Sequence, residues 1–288
     1  MVLKENVILD LHIHSTASDG TYSPPKIVQE AAKKGIGLIS LTDRDEIKNV
    51  KDTEKFAEDK GIAFLPGIEI SSTLEGELFH ILAYGTDNTN KELLELLEHN
   101  RYLLEKKDDD SIKYLIEKGY DIDYLKYEKY EQDNARGGWK ALNFLIDEKL
   151  CVDVKDYFTR LFCEENGIKF PKFSNTEEVI KIIKKADGVP ILAHPYYSKD
   201  DTPVFDKLDK FLRMGIEGIE CFHPHHNKKI TELCLEWCRK NNIIITAGSD
   251  FHGGFIEERS MGNPKVTVKE VNLGRLEEHI KSKILSLR

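Results

Sequence analysis

The chain has 288 residues, 40% hydrophobic and 32% charged, with a formal net charge of −9. That length buries a substantial core, in one large α/β domain or a domain carrying an insertion, and the acidic balance excludes a broad face tracking long duplex nucleic acid. No apolar run approaches the roughly 20 residues that span a bilayer, and MVLKENVILDLHIH lacks a leader's basic segment, apolar core and cleavage site in that order, so no membrane partner and a cytoplasmic location are expected.

In chain order the β-rich runs are VILDLHIH (7–14), GLISLTD (37–43), IAFLPGIEIS (62–71), LFHILAYG (78–85), VPILAHP (189–195), GIECFH (218–223) and IIITAGSD (243–250). Helical patterns separate them, which is the signature of a parallel sheet or barrel. PPKIVQEAAKKG opens on Pro24 and Pro25, which suit a helix start, and closes on Gly35, which suits its end. Residues 86 to about 175 differ: KELLELLEHNRYLLEKKDDDSIKYLIEKG is helical in period and heavily charged, and a tyrosine-rich stretch follows. This segment is read as an inserted helical cap over the barrel mouth, with EKKDDD a solvated face. The five cysteines (Cys151, Cys163, Cys221, Cys234, Cys238) form no C-x-x-C and read as reduced thiols, with Cys234 and Cys238 packing residues of one helix.

Titratable side chains gather where the strands end. In a strand, residues i and i+2 share a face, so His12 and His14 present both imidazoles to one point, either to a metal or to ordinary hydrogen bonds. The later strands end on Asp43, Glu69, His194, His223 and Asp250 with His252, while His80 lies inside its strand. Six of the ten histidines occupy such places, leaving His99, His225, His226 and His279 in helical or loop contexts. In α/β barrels the C-terminal strand ends build the active site, so a metal site is expected there. Imidazole and carboxylate donors suit Mn²⁺, Fe²⁺ or Zn²⁺, and two such ions about 3.5–4 Å apart can share a hydroxide and hold phosphoryl oxygens. Hydrolysis of a phosphoester by a metal-activated hydroxide is the chemistry this predicts, with no serine or cysteine nucleophile needed.

The motifs DLHIHSTASDGTYSP, LTDRD, GIEIS, ILAHP and GSDFH, in that order, resemble the PHP (polymerase and histidinol phosphatase) family of metal-dependent phosphoesterases, over roughly residues 7–85 and 176–256. Within it the likeness is to the nucleotide phosphatase and 5′-to-3′ exoribonuclease branch. The resemblance implies a distorted (β/α)7 barrel, residues 1–85 and 176–288, with an inserted small, mainly helical cap domain, residues 86–175. It also implies two, or with a further site three, divalent metal ions. One is held by His12, His14, Glu69 and Asp250; Glu69 bridges to a second held by His80 and His194. A third would use Asp19, the histidine of a T-D-H-D motif, and His252, but here the motif reads T-D-R-D and Arg44 replaces that histidine. A guanidinium has no lone pair to offer a metal. Arg44 is therefore read as pairing with Asp19 or gripping substrate phosphate, leaving two ions, or else as turning to solvent.

The remaining candidates each have two readings. His223 protonates the leaving oxygen or touches phosphate, or is structural. Asp43 orients a metal-bound histidine from behind, or caps its strand. Where the nucleotidase branch carries G-R-P-H, this chain has ARGGWKALNFLI; Arg136 is the candidate phosphate contact, and Trp139 either stacks on a base or packs in a core. The expected partner is a small phosphorylated substrate, a nucleotide or short oligonucleotide end, with no obligate protein partner. Histidinol-phosphate phosphatase and a non-catalytic metal-stabilised module remain the alternatives.

Overall fold

The computed structural model describes residues 3–163, 168–195 and 205–280. In chain order its elements are β1 (Ile8–Asp10), α1 (Pro24–Lys33), β2 (Ile36–Ile39), α2 (Val50–Lys60), β3 (Ala63–Phe64), β4 (Gly67–Leu74), β5 (Glu77–Tyr84), α3 (Lys91–Glu117), α4 (Tyr124–Glu128), α5 (Lys140–Asp147), α6 (Val154–Asp156), α7 (Thr176–Lys185), β6 (Val189–Leu192), α8 (Phe205–Met214), β7 (Gly218–Phe222), α9 (Lys228–Asn241), β8 (Ile244–Ala247) and β9 (Val266–Thr267). The α/β alternation read from the sequence is present, and α1 starts on Pro24 and stops before Gly35, whose φ is +71°. No described helix is long and apolar enough to cross a membrane.

The strands form two sheets, ordered β3-β2-β1-β9 and β4-β5-β6-β7-β8. This corrects the expectation of one closed barrel. The run 62–71 splits at Pro66, which has no N–H to give a ladder, into β3 of one sheet and β4 of the other. β4 and β5 then pair antiparallel through the two-residue turn Glu75-Gly76, both at positive φ as a primed hairpin turn requires. β5 and β6 are also antiparallel, while β6, β7 and β8 run parallel.

The two sheets share an apolar core: Leu9 and Leu38 meet Leu82, Ile191 and Ala247. At about 1.5–3 kcal/mol for each large aliphatic side chain fully buried, this packing holds the sheets face to face. Helices α1 and α2 cover the first sheet and α7, α8 and α9 the second. At the seams the ladders shrink to the isolated bridges Ile13↔Phe251 and Arg44↔Glu69. Three carboxylates clamp these strand ends in one pattern, each accepting both the N–H and the hydroxyl of a serine. Asp10 holds Ser249 (2.9 and 2.6 Å), Asp43 holds Ser15 (2.7 and 2.6 Å) and Asp45 holds Ser71 (3.0 and 2.6 Å).

The elements described between Lys91 and Leu161 are helical, joined by turns and irregular links, and part of this segment turns inward. The N-terminal half of α3 packs Leu93, Leu96 and Leu97 on the second sheet, and its C-terminal half packs Ile112 and Leu115 in a separate core with Tyr127, Phe144, Leu145 and Tyr157. The run EKKDDD is not wholly solvated. Lys107 and Asp108 turn inward as a buried pair at 2.6 Å, and Asp108 also accepts from the backbone of Ala141, which a solvated face would not do.

Candidate metal centre

The predicted ligands converge at the seam between the sheets. His12 and His14 stand just beyond β1, with Ile13 between them bridged to Phe251 and turned into apolar packing, so both rings point the same way with centroids 5.2 Å apart. Glu69 comes from β4, His80 from the antiparallel β5, and His194, His223 and Asp250 from beyond β6, β7 and β8. His194 and Asp250 adopt positive φ, +21° and +49°. Such non-glycine conformations cost about 1–3 kcal/mol and persist where surrounding structure over-determines them.

At the centre four buried atoms face one another: His12 Nε2, His14 Nε2, Glu69 Oε2 and Asp250 Oδ1. His14 Nε2 lies 3.1 Å from Asp250 Oδ1 and 3.4 Å from Glu69 Oε2, and His12 Nε2 lies 3.4 Å from Asp250 Oδ1. None of the four has a hydrogen-bond partner among the described residues. Arg44 Nη1 stands 2.8 Å from Glu69 Oε2, but out of line for a hydrogen bond. Buried polar atoms are normally satisfied, and a cluster of such donors without hydrogen-bond partners fits a cation-binding site.

Further donors adjoin this centre. Glu69 Oε1 lies 3.0 Å from His80 Nδ1 and 3.1 Å from His194 Nε2, a second possible metal position sharing Glu69. Asp19, His14 and His252 form another group of suitably close donors. Arg44 enters between these groups. Its Nε lies 3.3 Å from Asp19 Oδ2, and its Nη1 is 3.2 and 3.1 Å from the two nitrogens of His80. The solvent-facing reading of Arg44 is thereby excluded.

Charge in the cluster is balanced by neighbours. Burial works against ionising Glu69, but Arg44, His80 and His12 hold its carboxyl well below the usual range. Burial likewise disfavours the charged form of His14, yet Asp19, Asp250 and Glu69 raise its pKa to about 9. His80 goes the other way, pushed down to about 4 by burial and by Arg44. Burial also brings His223 down to about 3.

His223 lies beside the cluster, its Nε2 3.4 Å from Asp250 Oδ2 and its Nδ1 accepting from the N–H of His225 at 3.2 Å. Asp43 is buried, holding Ser15 and also Ser18, whose Oγ is 3.4 Å from His14 Nδ1, so it ties the strand end and reaches one candidate ligand indirectly. Arg136 is placed elsewhere. Its fork meets Asp147 at 2.8 and 2.9 Å, and Nη1 also meets Tyr130 Oη at 3.1 Å, so a phosphate would have to displace Asp147. Trp139 packs edge-on against Tyr157 and Phe255, centroids 5.3 and 6.0 Å away, and Phe255 in turn neighbours His252.

Two residues went unread in the sequence. Glu220 is buried within β7 with Oε1 on His12 Nδ1 at 3.0 Å; a lone acid inside the apolar strand GIECF was its signal. Arg259 pairs with Asp250 and reaches His225 Nε2 at 3.0 Å from a loop whose sequence carried no periodic signal.

The model of the PHP domain matches residues 10–186, well over half the chain and every candidate ligand before β6. The chain belongs to the PHP domain family. A 5′-3′ exoribonuclease of Haemophilus influenzae is 29% identical over 256 residues, covering 84% of this chain and 89% of that protein. A phosphoribosyl 1,2-cyclic phosphate 1,2-diphosphodiesterase of Eggerthella lenta is 26% identical over 257 residues, covering 86% of this chain and 95% of that one. Among solved structures, an amidohydrolase from Chromobacterium violaceum shares the fold, with a TM-score of 0.80 at 22% identity over 95% of this chain and 97% of that one. This PHP chain thus shares its fold with that structure over nearly its whole length.

Proposed function

We propose that this PHP chain is a metal-dependent phosphoesterase that hydrolyses a phosphomonoester or phosphodiester of a nucleotide-type substrate: a nucleoside 3′,5′-bisphosphate, a nucleoside monophosphate or the 5′ end of short RNA. One observation carries the reading, the four buried and unpartnered donor atoms of His12, His14, Glu69 and Asp250. The names of its relatives, an exoribonuclease and a phosphoribosyl cyclic phosphate diphosphodiesterase, support a ribose-linked phosphate.

His12, His14, Glu69 and Asp250 would hold one ion, and Glu69, His80 and His194 a second, with Mn, Fe or Zn suited to the nitrogen-rich donor set. When bound, such a pair supplies a nucleophilic water near neutral pH and offsets charge on the phosphoryl oxygens. The protein's own contribution is placement. His225 N–H leaves His223 with its ring proton on Nε2, beside Asp250 Oδ2 at 3.4 Å, where it would hydrogen-bond a leaving oxygen. The helical segment would cap the metal centre at the seam between the sheets: Gly138 N–H donates to the carbonyl of Asp19 at 2.9 Å, and Phe255 packs into the helical core. The five free cysteines agree with a reducing, cytoplasmic setting.

The test is phosphate release by Mn²⁺-loaded protein from nucleoside 3′,5′-bisphosphates, short 5′-phosphorylated RNA, nucleoside monophosphates and histidinol phosphate. Fastest release from a nucleotide or RNA end is expected. Preference for histidinol phosphate would move the substrate, and tight metal with no turnover on any ester would leave a non-catalytic module.

Two variants refine the site. Arg44 already places a cation between Asp19 and Glu69, so two tightly bound ions are expected, and Arg44→His, which supplies the imidazole that the T-D-H-D motif has there, should bind one more together with Asp19 and His252. A native metal count near three would refute this. Arg136→Ala removes an exposed brace to Asp147, the kind of pair worth at most about 1 kcal/mol. Turnover of nucleotide and of a small aryl phosphate should each change less than about threefold. A loss confined to the nucleotide would return Arg136 to the substrate site.

A further inference from the structure

Behind the candidate ligands, one carboxylate touches two of them. Glu220 is fully buried in β7; its Oε1 meets His12 Nδ1 at 3.0 Å and its Oε2 accepts the backbone N–H of His194 at 2.9 Å. His12 belongs to the first proposed ion position and His194 to the second. The bond to His194 also pins the residue at its unusual φ of +21°. The fold makes room for the arrangement at Gly248, where an added Cβ would stand 2.5 Å from Glu220 Oε1.

We infer that Glu220 is a positioning residue for both metal positions at once, holding His12 with its proton on Nδ1 and its Nε2 lone pair inward while fixing the backbone that carries His194. The inference rests on the metal-centre reading above. It follows from acceptor chemistry: both groups facing Glu220 are donors, and a carboxylate accepts at both oxygens. A glutamine cannot. Turned with its oxygen to His12, it sets an NH₂ against the N–H of His194; turned the other way, it donates to His12 Nδ1 and moves that ring's proton to Nε2, blocking the inward lone pair. Partners that orient metal-bound histidines typically change metal affinity 10–100-fold when altered.

Titration calorimetry of Mn²⁺ into metal-free wild type and Glu220→Gln tests this, with the thermal midpoint of both metal-free proteins measured alongside. Mn²⁺ affinity about 10–100-fold weaker in the variant is expected. Affinity within twofold of wild type, even with a lowered midpoint, would reduce Glu220 to a structural group and overturn the inference. Should the variant not fold, ¹⁵N NMR of the ring nitrogens in Zn²⁺-loaded wild type decides: a proton on His12 Nδ1 supports it and a proton on Nε2 overturns it. Wild type that binds neither ion would fail the metal-centre reading itself, and this inference with it.

Discussion

Glu69→Gln is expected to lose phosphate release by about three orders of magnitude or more, equivalent to about 4 kcal/mol of transition-state stabilisation. Among the described residues Glu69 is the only carboxylate shared by two of the candidate donor groups. Its Oε1 faces His12, His80 and His194 at 3.5, 3.0 and 3.1 Å, and its Oε2 faces His14 and Arg44 at 3.4 and 2.8 Å. An amide offers one oxygen and one NH₂. Aimed at the three histidines, the NH₂ removes the bridge; aimed at Arg44, it meets another donor in a buried site. Either way both ion positions lose a charged ligand, so the purified variant should retain well under one equivalent of metal after desalting. Elemental analysis and phosphate release on the same sample check this. Turnover comparable to wild type at equal metal content would refute the shared-carboxylate design.

The strand-end chemistry was legible because it is local. Period-two alternation in DLHIH, interrupted by an inward Ile13, aims two imidazoles together whatever sheet forms around them. The split of 62–71 was also local in cause, Pro66, but its consequence was not. Which sheet each half joins depends on the Glu75-Gly76 hairpin bringing β5 back beside β4, and on partners a hundred residues away. The seams were less legible still. Asp10 and Asp45 take backbone N–H groups of Ser249 and Ser71 with their side chains. Those donors are lost to any ladder, and no strand propensity records that. Glu220 and Arg259 escaped for a related reason. Each acts on the back of a candidate ligand supplied by another strand, so its meaning lies in a distant partner. Arg136 shows the converse: a motif-like position whose charge is satisfied by Asp147 one helix away.

The second large effect is on pH. In the metal-free protein His14 titrates near 9, and His12 well above its ordinary value, because Glu220, Asp250 and Glu69 outweigh the burial that opposes its charge. Both therefore carry protons at pH 7, on nitrogens that a metal would need. His80, near 4, is already neutral there, and Glu69, Asp19 and Asp250 are held ionised, so neither group adds a slope near neutrality. Metal must displace protons from His14 and His12. For His14 alone, competition predicts affinity rising about 20-fold between about pH 7 and 8.5, and His12 steepens it. Stability of the metal-free protein should run oppositely. A histidine whose folded pKa is raised stabilises fully below its unfolded value of about 6.5, and that contribution is lost as pH climbs through about 9. The thermal midpoint in chelator should thus fall from pH 6.5 to 9 while the increment given by Mn²⁺ grows. Calorimetry in two buffers of different ionisation enthalpy counts the released protons directly. Affinity flat across this range, with no proton release, would mean that His12 and His14 are not the groups that receive the metal.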